Sequence, residues 1–285
     1  MQLDDKKLQT VLSVSGDLLN PEERQFCGNE KDYSLTLAKG IAVLEMFAEG
    51  VQHISFQSVA DRLKTSRASA RRLVLTLQAS GYLDKTDLGY RLTSRCLSIS
   101  RVFLTGNSIL SILAEKIQEL SERIDCPCSI VTLNGPEVMF LCRDPSRRIY
   151  ASQLSLGDRL SAHASSGGKL LLAQKSDGAI REWYDQHKPK KLTRQTIVSA
   201  DAMIKECGQI NEQGYATSVE ELESGLISLS VGIRDPKGRI KLALIISQYA
   251  GRMDVGSMVD TYLNPLRTSS VDLSRLYSDF LIHQG

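Results

Sequence analysis

Residues 55–92 read SFQSVADRLKTSRASARRLVLTLQASGYLDKTDLGYRL, and this segment contains the signals for two short helices and a pair of strands. Ser55 and Ser66 are residue types that cap helix N-termini, and each precedes apolar residues at helical spacing. Only Lys64 and Thr65 separate the first helical run from the second cap. The pattern therefore predicts two helices that meet across a tight turn.

The second of these helices carries one apolar stripe. Its apolar residues follow the spacing i, i+3, i+4, i+7, and they are Ala70, Leu73, Val74 and Leu77. Gly81 ends the run as a C-terminal cap does. Two short strands, Tyr82 to Lys85 and Tyr90 to Leu92, then flank a turn that contains Gly89. The sequence predicts a winged helix-turn-helix, preceded by a further helix that starts near Tyr33.

Positive charge is concentrated in the same part of the chain. The 285 residues carry a net charge of +2, but residues 61–95 hold eight Lys and Arg against three Asp and Glu, a local charge of +5. The stripe turns Arg71 and Arg72 away from the core, and arginine can bind a guanine edge or a phosphate. We therefore predict binding to double-stranded DNA. The predicted contacts are Ser66, Arg67, Ala68, Ser69, Arg71, Arg72, Lys85 and Arg91.

Two other interpretations of the basic helix stay open at this level. In the first, the charged face of the helix is only solvated, as most charged helical faces are. In the second, the chain is an interaction protein that needs no small ligand, and the basic helix binds an acidic partner protein. The ordered succession of helix, turn, helix, glycine and wing within one basic segment favours DNA.

The second half of the chain predicts an α+β domain. A hairpin of Ser129 to Leu133 and Glu137 to Arg143 comes first, helices follow, and a second strand pair spans Leu226 to Arg234 and Arg239 to Ser247. In the strand Leu226 to Arg234, alternation places Ile227, Leu229, Val231 and Ile233 on one face and Ser228 and Ser230 on the other. The serine face either lines a pocket or faces water.

Composition argues against several classes of protein. No run of about 18 apolar residues is present and Met1 to Thr10 is polar, so we expect no membrane span, no secretory signal and a cytoplasmic location. Six irregularly spaced cysteines fit free thiols, and Cys126-Pro127-Cys128 lacks the spacing of zinc ligands. We predict neither a metal site nor a cofactor.

Several motifs resemble the IclR family of transcriptional regulators. They lie in the helix-turn-helix, in the wing and at scattered points of the second half. The segments that carry the resemblance are Ser34 to Gly50, Val59 to Leu63, Ala70 to Leu83, Tyr90 to Leu92, His163 to Ala173, Leu192 to Ile197 and Gly214 to Ala216. Ala70-Arg71-Arg72 and Glu221 to Leu226 look most similar to the branch that regulates aromatic-acid breakdown.

The resemblance implies an architecture and partners. It implies an N-terminal extension (1–32), a winged helix-turn-helix (33–95), a linker helix (96–108) and a GAF-like effector domain (109–285). A homodimer or dimer of dimers would bind a palindromic operator and respond to a small organic acid. By the same resemblance, the pocket would be lined by Ser166, Gly167, Ser218, Leu226, Ser228 and Ser247.

The segment from His163 to Lys169 is the candidate effector site. It is rich in small residues and leads into a helix, whose N-terminus favours anions, and Arg143 or Arg159 could hold a carboxylate. The segment also suggests a hydrolase that uses His163 and Ser166. That alternative lacks the first glycine of the nucleophile elbow, so we predict no catalytic residues.

Overall fold

The structure is a computed structural model that describes residues 33–48, 50–99, 108–144 and 156–284. The chain divides into two compact units between Asn107 and Ser108. The predicted N-terminal extension, 1–32, lies outside the described residues. So does most of the predicted linker helix, 96–108, of which residues 96–99 and 108 are described and helical.

The first unit contains the predicted helix-turn-helix and wing. Its elements are α1 (Leu35–Ala48), α2 (Phe56–Arg62), α3 (Arg67–Ala79), β1 (Leu83–Thr86) and β2 (Gly89–Leu92). Ser55 caps α2 by accepting a hydrogen bond from the backbone N–H of Ser58 at 3.0 Å. Ser66 caps α3 in the same way, with the N–H of Ser69 at 3.2 Å. The local signals in the sequence thus produce the predicted elements.

A backbone pairing fastens the wing to the chain before α2. Ile54, which belongs to no strand, and Tyr90 of β2 exchange two hydrogen bonds of 2.9 and 2.8 Å. The neighbouring Gly89 has φ +128°, and a Cβ there would lie 2.5 Å from the carbonyl oxygen of Ile54. Only glycine fits this position without displacing the backbone.

The second unit is built on a six-stranded antiparallel sheet with strand order β5-β4-β3-β8-β7-β6. Its strands are β3 (Cys128–Asn134), β4 (Glu137–Arg143), β5 (Arg159–Ser161), β6 (Ala216–Val219), β7 (Leu226–Arg234) and β8 (Ile240–Tyr249). Its helices are α4 (Ser108–Ile124), α5 (Ser166–Leu172), α6 (Asp177–His187), α7 (Ala200–Gln213) and α8 (Val255–Gln284), and a 3-10 turn, Ala162–Ala164, precedes α5.

Helices cover both faces of this sheet, which confirms the predicted α+β class. Ile227, Leu229, Val231 and Ile233 pack with α4 and α8 on one face, as their alternation predicted. A second core lies on the other face, under α5, α6 and α7. Ser228 and Ser230 belong to that side and are 8% and 0% exposed, so the serine face of β7 does not face water.

Within the described ranges, no helix is both long enough and apolar enough to cross a lipid bilayer.

Candidate functional site

The face of α3 that was predicted to bind DNA is exposed. Ala70, Leu73 and Val74 are buried in the core of the first unit, while Arg71 and Arg72 point into solvent. The guanidinium of Arg71 also lies over the ring of Phe56, 5.4 Å from its centroid. The helix therefore presents a positively charged face to solvent, and the buried side chains on its other face hold it in place.

The other predicted DNA contacts lie at the start of α3 and in the wing. Ser66, Arg67 and Ala68 are exposed at the start of α3, and the half-buried Ser69 gives its backbone N–H to the cap. In the wing, Lys85 pairs with Tyr90 and Arg91 pairs with Asp84. Adjacent register pairs of a hairpin point to opposite faces, so Lys85 and Arg91 lie on opposite sides of the wing.

The second unit contains a cavity of about 200 Å³ between α5, the sheet and the loop that precedes β7. Five of the predicted effector residues line it, namely Ser166, Ser218, Leu226, Ser228 and Ser247. The structure adds residues that the sequence had not indicated for this role. These are Pro127, Ser129, Val138, Phe140, Leu160, Leu222, Glu223 and Ile245, while Ala164 and Ser165 belong to the predicted segment His163 to Lys169.

Three serines form a row across the floor of the cavity. Ser218 pairs with Ser228 between β6 and β7, and Ser228 pairs with Ser247 between β7 and β8. Residues paired in this way project from the same face of a sheet. The hydroxyl of Ser218 donates to the carbonyl of Ala164 at 2.7 Å. The row therefore presents rotatable hydroxyl groups, which can donate or accept hydrogen bonds.

Ser166 is the polar group in the cavity whose surroundings point most directly to a ligand. Its side chain is 0% exposed, and its hydroxyl has no hydrogen-bond partner among the described residues. A buried hydroxyl without a partner costs free energy, and such groups are usually satisfied. A polar group of a bound molecule would supply the missing partner.

The structure distinguishes the two arginines proposed to hold a carboxylate. Arg143 lines the cavity, half-buried, with its guanidinium over the ring of Phe140 at 5.8 Å. Burial lowers the pKa of Arg143, and nearby Asp158 and Asp144 oppose that effect. Arg159 instead lies 3.8 Å from Glu137 and does not belong to the lining. Among the described lining residues, Arg143 is therefore the cationic side chain.

The remaining predicted effector residues, His163 and Gly167, lie outside the described lining. His163 is 3% exposed, and its Nε2–H donates to the carbonyl of Lys190 at 3.0 Å. Gly167 packs against the sheet so closely that a Cβ would lie 2.3 Å from the side chain of Ile245. Both positions shape the segment that carries Ser166. His163 is committed to Lys190, so no nucleophile and base pair of the hydrolase alternative is formed.

The pKa of His163 leads to a prediction about stability. Burial lowers this pKa, although the hydrogen bond to Lys190 opposes the shift, so the unfolded chain takes up the proton at a higher pH than the folded protein. The free energy of unfolding should therefore decrease as the pH falls below about 6.5. Urea titrations of the wild type and His163→Gln across this range test it. Identical pH profiles would contradict the assignment.

The described cysteines do not form a reactive or metal-binding group. Cys96, Cys126, Cys128, Cys142 and Cys207 are not joined by disulfide bonds, and no cluster of His, Cys, Asp or Glu that could hold a metal ion occurs among the described residues. Burial raises the pKa of Cys126 to about 11 and those of Cys142 and Cys207 to about 12. These thiols act as small apolar side chains.

The fold and the exposed basic helix define a winged-helix DNA-binding regulator with a separate ligand-binding unit. The sequence matches the IclR helix-turn-helix domain over residues 36–87 and the C-terminal domain of the bacterial transcriptional regulator IclR over residues 102–275. The chain belongs to the IclR family of DNA-binding transcriptional regulators, as its motifs predicted.

Two curated relatives extend over most of the chain. The Pca regulon regulatory protein of Pseudomonas putida is 28% identical over 245 residues, which cover 86% of this chain and 84% of that protein. The p-hydroxybenzoate hydroxylase transcriptional activator of Acinetobacter baylyi is 31% identical over 251 residues, which cover 86% and 93%. Both are regulators rather than enzymes, which confirms the prediction that the chain has no catalytic function. They also match the predicted aromatic-acid branch.

Solved structures share the fold. An IclR homologue from Microbacterium hydrocarbonoxydans, complexed with 4-hydroxybenzoate, has a TM-score of 0.67 and 23% identity, covering 85% of this chain and 98% of its own. The inducer-binding domain of PobR from Acinetobacter, complexed with 3-hydroxybenzoic acid, has a TM-score of 0.54 and 27% identity, covering 57% and 96%.

Proposed function

We propose that this regulator controls transcription in response to a small aromatic acid, which binds in the cavity of the second unit. The observation that carries the proposal is that two groups line the same cavity. One is the cationic side chain of Arg143, and the other is the buried hydroxyl of Ser166, which has no hydrogen-bond partner among the described residues. The names of the two curated relatives, and the ligands of the two solved structures, support an acid of the hydroxybenzoate class.

The cavity lining is suited to such a ligand. Phe140, Leu160 and Ile245 offer apolar contacts to a ring, the guanidinium of Arg143 can pair with a carboxylate, and the serine row can bond to ring hydroxyls. The anion site predicted at the start of α5 is less well supported, because the cap of Ser165 already occupies the N–H of Gly168 at 3.1 Å.

The assembly and location follow from the proposed role. We propose that a homodimer or dimer of dimers places two α3 helices on the half-sites of a palindromic operator in the cytoplasm. Acid binding would shift the equilibrium between states with different affinity for that operator.

Calorimetry with the full chain tests whether the protein binds aromatic acids. 4-Hydroxybenzoate and protocatechuate should bind and raise the melting temperature, whereas phenol, which lacks the carboxylate, should not. Operator affinity, measured by fluorescence anisotropy, should change when the acid is present. Failure of the whole panel of aromatic acids to bind would remove the support for this effector class.

Ser166→Ala separates a ligand contact from a structural role. In the free protein the variant should be as stable as the wild type or more stable by up to about 1 kcal/mol, because an unpartnered buried hydroxyl is removed. Affinity for 4-hydroxybenzoate should fall about tenfold, as expected for one lost hydrogen bond. Loss of stability without loss of affinity, measured by urea unfolding and calorimetry, would contradict the assignment.

A further inference from the structure

A buried lysine joins three elements of the second unit beside the cavity. Lys169, in α5, is 2% exposed, and its ammonium donates to Glu206 at 2.7 Å and to Glu221 at 2.5 Å. Glu206 belongs to α7, whereas Glu221 belongs to the loop of residues 220–225 between β6 and β7. A buried ammonium is costly without such partners, so the contacts with α7 and the loop are strongly favoured.

The loop of residues 220–225, the cavity loop, contributes directly to the lining. Leu222 and Glu223 are lining residues, and Leu226, which also lines the cavity, follows immediately in β7. Glu220, at the start of the loop, has φ +55°, a left-handed conformation that is unfavourable for a residue with a side chain. The N–H of Gly225 donates to the carboxylate of Glu220 at 3.0 Å within the loop, and contacts from outside the loop add to this internal bond.

Side chains from two separate segments supply those contacts. Thr193 donates to the carbonyl of Glu220 at 2.6 Å, and Thr196 donates to the carbonyl of Glu221 at 2.7 Å. The ion pair with Lys169 holds the side chain of Glu221 from the opposite element, α5. The helix that presents Ser166 to the cavity is thus tied to the loop that presents Leu222.

The charge of this cluster is not balanced. Lys169 faces two carboxylates, and Oε2 of Glu221 is buried without a hydrogen-bond partner among the described residues. Burial raises the pKa of Glu221, and Lys169 opposes that effect. Replacing a buried ion pair by apolar side chains of similar volume is often neutral or stabilising, so the burial of this pair is weak evidence for a role in stability.

We propose that the ion pair of Lys169 and Glu221 positions the cavity loop over the cavity and thereby sets the affinity for the acid effector. The inference rests on the proposed function, since it takes the cavity to be the effector site. Lys169 and Glu221 act here as positioning residues. Release of the pair lowers the population of the binding-competent loop, and the apparent affinity falls in proportion.

Glu221→Gln and Glu206→Gln provide a matched comparison, because each removes one carboxylate from the same lysine. Only Glu221 belongs to the cavity loop. In hydrogen–deuterium exchange of the ligand-free protein, Glu221→Gln should accelerate exchange within residues 220–225, and Glu206→Gln should not. In calorimetry, Glu221→Gln should weaken binding of 4-hydroxybenzoate about tenfold, and Glu206→Gln less than about twofold. If Glu221→Gln fails to fold, Thr196→Val removes another tie to the same loop and should give the same results.

The outcomes separate this inference from the proposed function. If the wild type binds the acid and the two glutamine variants behave alike in both measurements, the positioning role is overturned and the effector site stands. Faster exchange without weaker binding also overturns it. If the wild type binds no aromatic acid, the proposed function fails, and with it the role of the pair in effector affinity, whatever the exchange rates.

Discussion

Replacing both Arg71 and Arg72 by alanine should abolish specific operator binding at physiological salt. Both side chains project from the exposed face of α3, and a good arginine contact with a base contributes about 1–3 kcal/mol. The pair should therefore account for about 2–6 kcal/mol, which is about 30-fold to 20,000-fold in affinity. Fluorescence anisotropy with an operator duplex and with a random duplex measures the loss.

Salt dependence and a surface control make the result specific. If the arginines contact phosphates, the slope of log affinity against log salt should fall by about two, and binding to random duplex should weaken equally. If they contact bases, only operator binding should weaken. Arg252→Ala removes an exposed arginine of the second unit and should leave both affinities unchanged. Because Arg71 also covers Phe56, the melting temperature is measured for each variant.

Replacing Arg143 by methionine should remove the response to the acid while operator binding persists. The substitution keeps an unbranched apolar stem, although a shorter one, and deletes the guanidinium of Arg143 from the cavity lining. A hydrogen bond to a charged group contributes about 1.5–3 kcal/mol, so the affinity for 4-hydroxybenzoate should fall about 10-fold to 100-fold. Calorimetry measures the affinity, and anisotropy at an acid concentration that just saturates the wild type measures the response.

Arg143→Lys and Arg159→Met are the controls for this experiment. Lysine retains the charge but not the planar fork, so it should restore part of the affinity. Arg159 is paired with Glu137 outside the lining, and its removal should have little effect on the acid. Equal losses in Arg143→Met and Arg159→Met would show that the effect is general destabilisation.

The sequence predicted those elements whose signals are local. Ser55 and Ser66 lie directly before the helices that they cap, and the alternation of β7 is complete within nine residues. Each of these patterns involves residues that are close together in the chain. Such local patterns adopt the same geometry in many proteins. The exposed arginines of α3 follow from the same stripe, so the candidate DNA-binding face could also be predicted.

The cavity could be predicted only in part, because it is assembled from distant segments. Ser129, Arg143 and Glu223 come from β3, β4 and the cavity loop, and only the order of strands in the sheet brings them together. The sequence contains Lys169 and Glu221 52 positions apart, and no periodicity links them. Resemblance supplied five residues of the lining, while packing decided that His163 and Gly167 face elsewhere.

The apolar cores have a consequence for how this regulator can change. One core draws its residues from the first unit alone, and the other two draw theirs from the second. Among the described residues, no core mixes side chains of the two units, so we expect substitutions that enlarge or reline the cavity to leave the buried contacts of α3 in place. Natural recombination, or a deliberate exchange of units between regulators, can combine an existing operator preference with a new chemical signal. The same independence makes the chain a practical starting point for a genetically encoded sensor.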